Sequence, residues 1–193
     1  GYNNMNRFIL YHHPTDIAES LCDQHVVKMP LEEAQMLCTA LWHHAPEYAE
    51  GANLYKPVHQ KHPCTLWAMK TQSNYLFAYQ LYMAMLLEYT HRYGKVHGAG
   101  KHSERIRIGA DFIPDDGLLT PHPQCFSGHD DLKTDEKWPI RAYRQFYKRD
   151  KMSFARWNKN RAMPEWLQEG IYKDDLVTKP LPSPDLSEYG LNV

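Results

Sequence analysis

The sequence predicts a mainly α-helical single domain, a helical bundle with long loops, and three observations carry that prediction. Apolar residues recur at helical spacing in two long stretches, around Leu31–Leu41 and Leu66–Leu87. Gly, Pro, Asp and His concentrate between and after those stretches, at 45–64 and 98–138. With 193 residues the chain can build one full core and is short for two. No internal repeat is present.

In chain order, Asn6 to Tyr11 is a short apolar run, strand or extended. A first helix is expected to begin near Thr15 or Asp16, both capable caps. Pro30 should interrupt it and open a new helical stretch, since proline suits a first turn. Leu31, Ala34, Met36, Leu37, Ala40 and Leu41 then carry helical periodicity towards Trp42. A loop with Pro46, Gly51, Pro57 and Pro63 leads to a long helix from Thr65 to Arg92, stopped at Gly94. Its expected apolar set is Leu66, Met69, Tyr75, Leu76, Tyr79, Met83, Leu86 and Leu87. Residues 98–138 read as one long loop, and loops of that length are more often functional than inert. A last helical region covers 139–160. The domain is placed at 1–166, with 167–193 as an extended Pro-rich tail.

Hydrophobic content of 42% with 23% charged residues is ordinary for a globular protein. No apolar run approaches the roughly 18 residues needed to span a bilayer, and no signal peptide opens the sequence. Cys22, Cys38, Cys64 and Cys125 are widely spaced and form no CxxC pair, which suits a reducing compartment. The expectation is a monomer in bacterial or phage-infected host cytoplasm, with no membrane partner. The net charge of -1 hides an asymmetry: residues 141–161 hold eight Lys or Arg against one acid, Asp150. Tyr143, Phe146, Tyr147, Phe154 and Trp157 interleave with them. That pattern is either a nucleic-acid footprint or a solvated amphipathic helix.

Three constellations carry chemistry. On one helix His25, Lys28 and Glu32 fall at i, i+3 and i+7 and share a face. A carboxylate beside a cation and an imidazole is a kit for acid–base work, or an exposed ion pair of under about 1 kcal/mol. Glu33, on another face, serves as the control. In LYKPVHQKHPCTLW, residues 54–67, His59, His62 and Cys64 invite a zinc reading. The spacing has no second half, so Tyr55, Lys56, His59, Lys61, His62 and Trp67 are read instead as phosphate and base contacts, with no metal. Arg92 and Lys95 end the long helix, where cations complement its C-terminus; a DNA contact is the second reading.

These residues resemble the pyrimidine-dimer DNA glycosylases. Met5-Asn6-Arg7 is similar to the family's Met-Thr-Arg start. Asp23-Gln24-His25, six residues and Glu32 resemble its Asp-Gln-His-x6-Glu element. Tyr55 through His62-Pro63 to Trp67 is similar to the Tyr…His-Pro…aromatic segment of bacterial members. Asn74-Tyr75-Leu76 through Glu88, Arg92 and Gly94 resembles their long helix, and Tyr143 to Trp166 their closing basic-aromatic segment.

The resemblance implies double-stranded DNA as partner, with phage DNA carrying modified or damaged pyrimidines as one candidate. It implies a flipped base, an α-amine attacking the sugar C1′, no cofactor, and Glu32 as the carboxylate that stabilises the imine. The expected catalytic residues are Glu32, His25, Asn6 and Arg7, with Lys28, to which the family gives no such role, as a substitute amine one turn before Glu32. DNA contacts fall to Asp23, Gln24, the 55–67 set, Arg92, Lys95, Tyr143, Arg144, Tyr147 and Lys148. Asn6 replaces the nucleophilic threonine, and Leu31 and Gln35 stand where arginines are expected. Three functions therefore stay open: base excision, a transferase completing pyrimidine hypermodification in phage DNA, and a silent DNA-binding module.

Overall fold

In the computed structural model, residues 5–115, 117–168 and 184–191 are described. Among them the secondary structure is helical, with no strand. Seven α-helices run in order: α1 Pro14–Ser20, α2 Asp23–His44, α3 Pro46–Gly51, α4 Pro63–Lys70, α5 Gln72–Tyr93, α6 Ser103–Gly109 and α7 Ile140–Phe146. Helices α2 and α5 form the centre; α4 packs against both, and α1 packs against α5.

The first break falls earlier than Pro30. Leu21 and Cys22 are extended, and α2 then runs unbroken through Pro30. A proline inside a helix forfeits one hydrogen bond and costs about 3 kcal/mol. Burial of Val26, Met29, Ala34, Leu37 and Leu41 along α2 outweighs that cost. The α2 N-terminus is anchored from afar: Cys22 N–H donates to the Tyr147 hydroxyl, and Asp23 N–H to the Arg156 carbonyl.

The expected 65–92 helix is two helices. Thr71 is extended and caps α5, its hydroxyl accepting the Asn74 N–H. Gly94 ends α5 in the left-handed region at φ 67°, donating to the Thr90 carbonyl. The apolar face is also rotated from the expected one: Leu66 and Leu87 are exposed, while Tyr75, Phe77, Ala78, Leu81, Tyr82 and Met85 fill the core.

Residues 98–138 are not one loop. A 3-10 turn at Gly98–His102 leads into α6, and another follows at Ala110–Phe112. Gly109 permits this, because a Cβ there would meet the Leu41 methyls at 2.6 Å. The last helix is shorter than expected: α7 passes into a π-turn at Tyr147–Lys151, and residues 155–164 are irregular.

Asn6 to Leu10 threads through the centre without helical or strand pairing, all buried. The aromatic load is mostly core. Tyr75 and Tyr82 are fully buried, and their hydroxyls donate to the Ile106 and Ala99 carbonyls at 2.5 Å. Of the expected tail, 184–191 docks rather than extends. Leu186 and Leu191 are buried, and the Tyr189 hydroxyl reaches Thr15. The remaining tail positions, 169–183 and 192–193, and the opening GYNN lie outside the described residues.

Candidate functional site

A cleft of about 490 Å³ opens where the Met5–Asn6 segment, the start of α4, residues 124–127 and the π-turn after α7 meet. Lys133, Asp130, Asp150 and Lys151 line its polar side, and Phe126, Phe146 and Pro63 its apolar side. Lys151 Nζ lies 2.9 Å from Asp150 and 5.0 Å from the Phe146 ring centre.

Glu32 stands on α2 one turn before Met36, and Met36 packs with Met5 of the cleft wall and Cys64. Its Oε2 is shielded from solvent and meets no hydrogen-bond donor among the described residues. Burial raises its pKa from 4.5 to about 7, against the opposing charges of Lys28 and Lys151. Lys28 is half-buried one turn earlier. This carboxyl can hold or release a proton near neutral pH.

The structure separates His25 from this pair. Its ring stacks on Phe8 at 4.5 Å, and its Nδ1 hydrogen-bonds the Tyr147 hydroxyl at 2.6 Å. Burial, helped by Lys151 and Lys28, lowers its pKa to about 3, so the imidazole is neutral and belongs to the core. Glu33 is a larger departure from expectation. It is 2% exposed and grips Arg7 with two bonds of 2.6 and 2.7 Å. A bidentate buried pair of this kind holds the 5–10 segment against α2. Glu33 is therefore no neutral control, and Arg7 is structural. Asn6 is likewise locked: its Oδ1 accepts from Arg7 N and the Tyr143 hydroxyl, and its Nδ2 donates to the Cys125 carbonyl.

Several expected DNA contacts are interior residues. Asp23 accepts from Arg92 and Asn158, while Arg92 also binds Glu88, which in turn holds Arg161. Trp67 is buried and donates to the Thr120 carbonyl. Tyr143 and Tyr147 are fully buried. Arg144 is buried, donates to the Leu10 carbonyl and lies over the Tyr11 and Trp166 rings. His62 caps α4 by accepting the Cys64 N–H. The 141–161 stretch is thus divided: Arg144 and Lys151 are buried, Arg149 and Arg161 pair with acids, and Arg156 and Lys159 are exposed. Gln24, Lys56, Lys61 and Lys95 are exposed, and Tyr55, His59 and Lys148 half-exposed. Lys61 immediately precedes the His62–Pro63 rim of the cleft.

Nothing in the local sequence marks Lys133, Lys151 or Cys125 as residues of the cleft. Lys151 was visible only as one of eight basic residues, and Cys125 carried no local signal. Yet Cys125 Sγ lies 3.9 Å from Cys64 Sγ, with His62 alongside.

The family described as pyrimidine dimer DNA glycosylase matches residues 5–99, which contain Glu32, Lys28 and the Asn6 wall of the cleft. The match spans just under half of the chain and is a likeness to that family. No curated protein and no solved structure matches the chain. The match supports a function of the DNA glycosylase type with DNA as substrate. Among the described residues no helix is long and apolar enough to cross a membrane.

Proposed function

We propose that the protein flips a pyrimidine nucleotide out of double-stranded DNA and processes its base beside Glu32. The observation that carries this reading is the Glu32 carboxyl, its Oε2 without a donor among the described residues, pushed up to about 7, and one turn from the residue that packs on the cleft wall. A half-buried carboxyl whose shielded oxygen has no donor costs stability when ionised, and such a cost is commonly kept where a charge develops in a reaction. Ionised Glu32 stabilises a cationic sugar or imine intermediate, and Lys28 lies within reach of the same site as a candidate amine. Lys56 and Lys61 hold the phosphates, and unstacking the base costs a few kcal/mol, least for a damaged one.

Asn6 favours a second reading. Its amide is occupied on three sides, and its side chain is no amine. A transferase acting on a modified pyrimidine, with Glu32 as the base for an incoming amine, fits that substitution. Borohydride reduction on pyrimidine-dimer DNA separates the two. A covalent protein–DNA adduct lost in Lys28→Ala supports excision through an imine. No adduct, with a mass change in nucleosides from 5-hydroxymethylpyrimidine DNA, supports transfer. Neither outcome with any pyrimidine substrate, and unaltered DNA binding in Glu32→Gln, leaves a binding module and overturns the proposal.

A further inference from the structure

We infer that His62, Cys64 and Cys125 form a binding site for one zinc ion at the wall of the cleft. One ligand atom from each residue lies within 4.8 Å of the others. The two sulfurs are 3.9 Å apart. Two thiolates on one tetrahedral zinc, each about 2.3 Å from the metal, stand about 3.8 Å apart. As free thiols the two share an S–H···S contact at that distance, and an ion would replace the shared hydrogen without moving the sulfurs.

The surroundings fit as well. Two thiolates balance the charge of a divalent ion, and the one nearby guanidinium, Arg7, is already matched by Glu33. The ligands are held by the fold. His62 and Cys64 flank Pro63 at the start of α4, and Cys125 is fixed through its backbone, its N–H donating to Tyr143 and its carbonyl accepting from Asn6. His62, Cys125 and Asn6 all line the cleft, so the fourth position faces it and is open to water or a substrate oxygen. Binding costs the Cys64 thiol its contacts with Asn6 Oδ1 and Cys125 Sγ, each at 3.9 Å, and one helix cap. His62 Nδ1 accepts the Cys64 N–H, and ligation through either ring nitrogen gives up that cap. A single cap bond is small beside metal–thiolate binding. Thiolate and imidazole together select zinc over magnesium or calcium.

The inference goes beyond the base-processing reading and is decided by binding rather than turnover. The full chain is purified without chelator, its zinc measured, and the metal-free, reduced protein titrated with zinc against a chromogenic chelator. Cobalt(II) serves as the spectroscopic probe. The expected result is one zinc per chain and a cobalt complex with tetrahedral bands and sulfur-to-metal charge transfer. Cys125→Ser, which leaves the fully buried Cys64 in place, weakens affinity beyond the roughly 10–100-fold that loss of a supporting hydrogen bond costs. It also removes one sulfur's share of the charge-transfer band. Cys38→Ala, away from the cluster, changes neither. Absence of zinc binding, unaltered affinity in Cys125→Ser, or an intact mass two hydrogens lighter under ordinary purification each overturns the site; the last would show a disulfide in its place.

Discussion

Replacing Glu32 by glutamine tests the central carboxylate through stability and turnover at once. The folded-state pKa is raised from 4.5 to about 7, chiefly by burial. Between those values the folded protein keeps a proton that the unfolded chain has lost, so stability falls as pH rises from about 4.5 and levels off above about 7. Each unit is worth 1.36 kcal/mol, which sets an upper bound of about 3 kcal/mol, reduced because the side chain is partly exposed. Glutamine has the same shape and no charge. Glu32→Gln is therefore expected to be more stable than the parent by up to about 3 kcal/mol near pH 8.5 and nearly equal near pH 4.5. Urea unfolding at both values measures this. Turnover should fall at least about a hundredfold, as when an acid–base or charge-stabilising group is lost. The parent's activity should rise with pH through about 7 as the carboxylate forms, and the variant should lack that step. Equal stability gaps at the two pH values, or near-parental turnover, would refute the assignment.

Glu33→Gln should lose about 3–5 kcal/mol of stability by urea unfolding, since it leaves Arg7 buried without its counter-ion. The Lys56→Ala, Lys61→Ala double variant should lower the slope of log K against log salt by up to about 1.8, at about 0.9 per phosphate contact, measured by DNA titration across salt. Arg144→Ala should leave that slope alone while costing about 2–4 kcal/mol of stability, through the lost Leu10 bond and ring stacking. The His25 ring, held neutral by burial, should show no titration by NMR between about pH 5 and 8.

What the sequence determined by itself is what short-range pattern encodes. Helical periodicity, the Gly94 stop and the Asp-Gln-His-x6-Glu spacing located α2, the end of α5 and Glu32 with Lys28, because residues three and four apart meet on any helix. The family was legible for the same reason, since its motifs are local. Identity of residue type did not reveal burial, and there the reading diverged. Arg7, Arg92 and Arg144 look alike in sequence to Lys56 or Lys61, yet each finds partners 26 to 134 residues away that draw it inside. Glu32 and Glu33 are adjacent, but the helix turn sends Glu33 to a guanidinium and leaves Glu32 Oε2 without a donor among the described residues. Tertiary structure alone decided that the chain breaks at Leu21–Cys22 and not at Pro30, because the Tyr147 hydroxyl and Arg156 carbonyl arrive there from the far end. It also changed the candidate metal ligands. Spacing along the chain offered His59, His62 and Cys64, whereas the fold groups His62 and Cys64 with Cys125 from 61 residues away, because the 124–127 segment and the start of α4 close on the same Asn6 side chain.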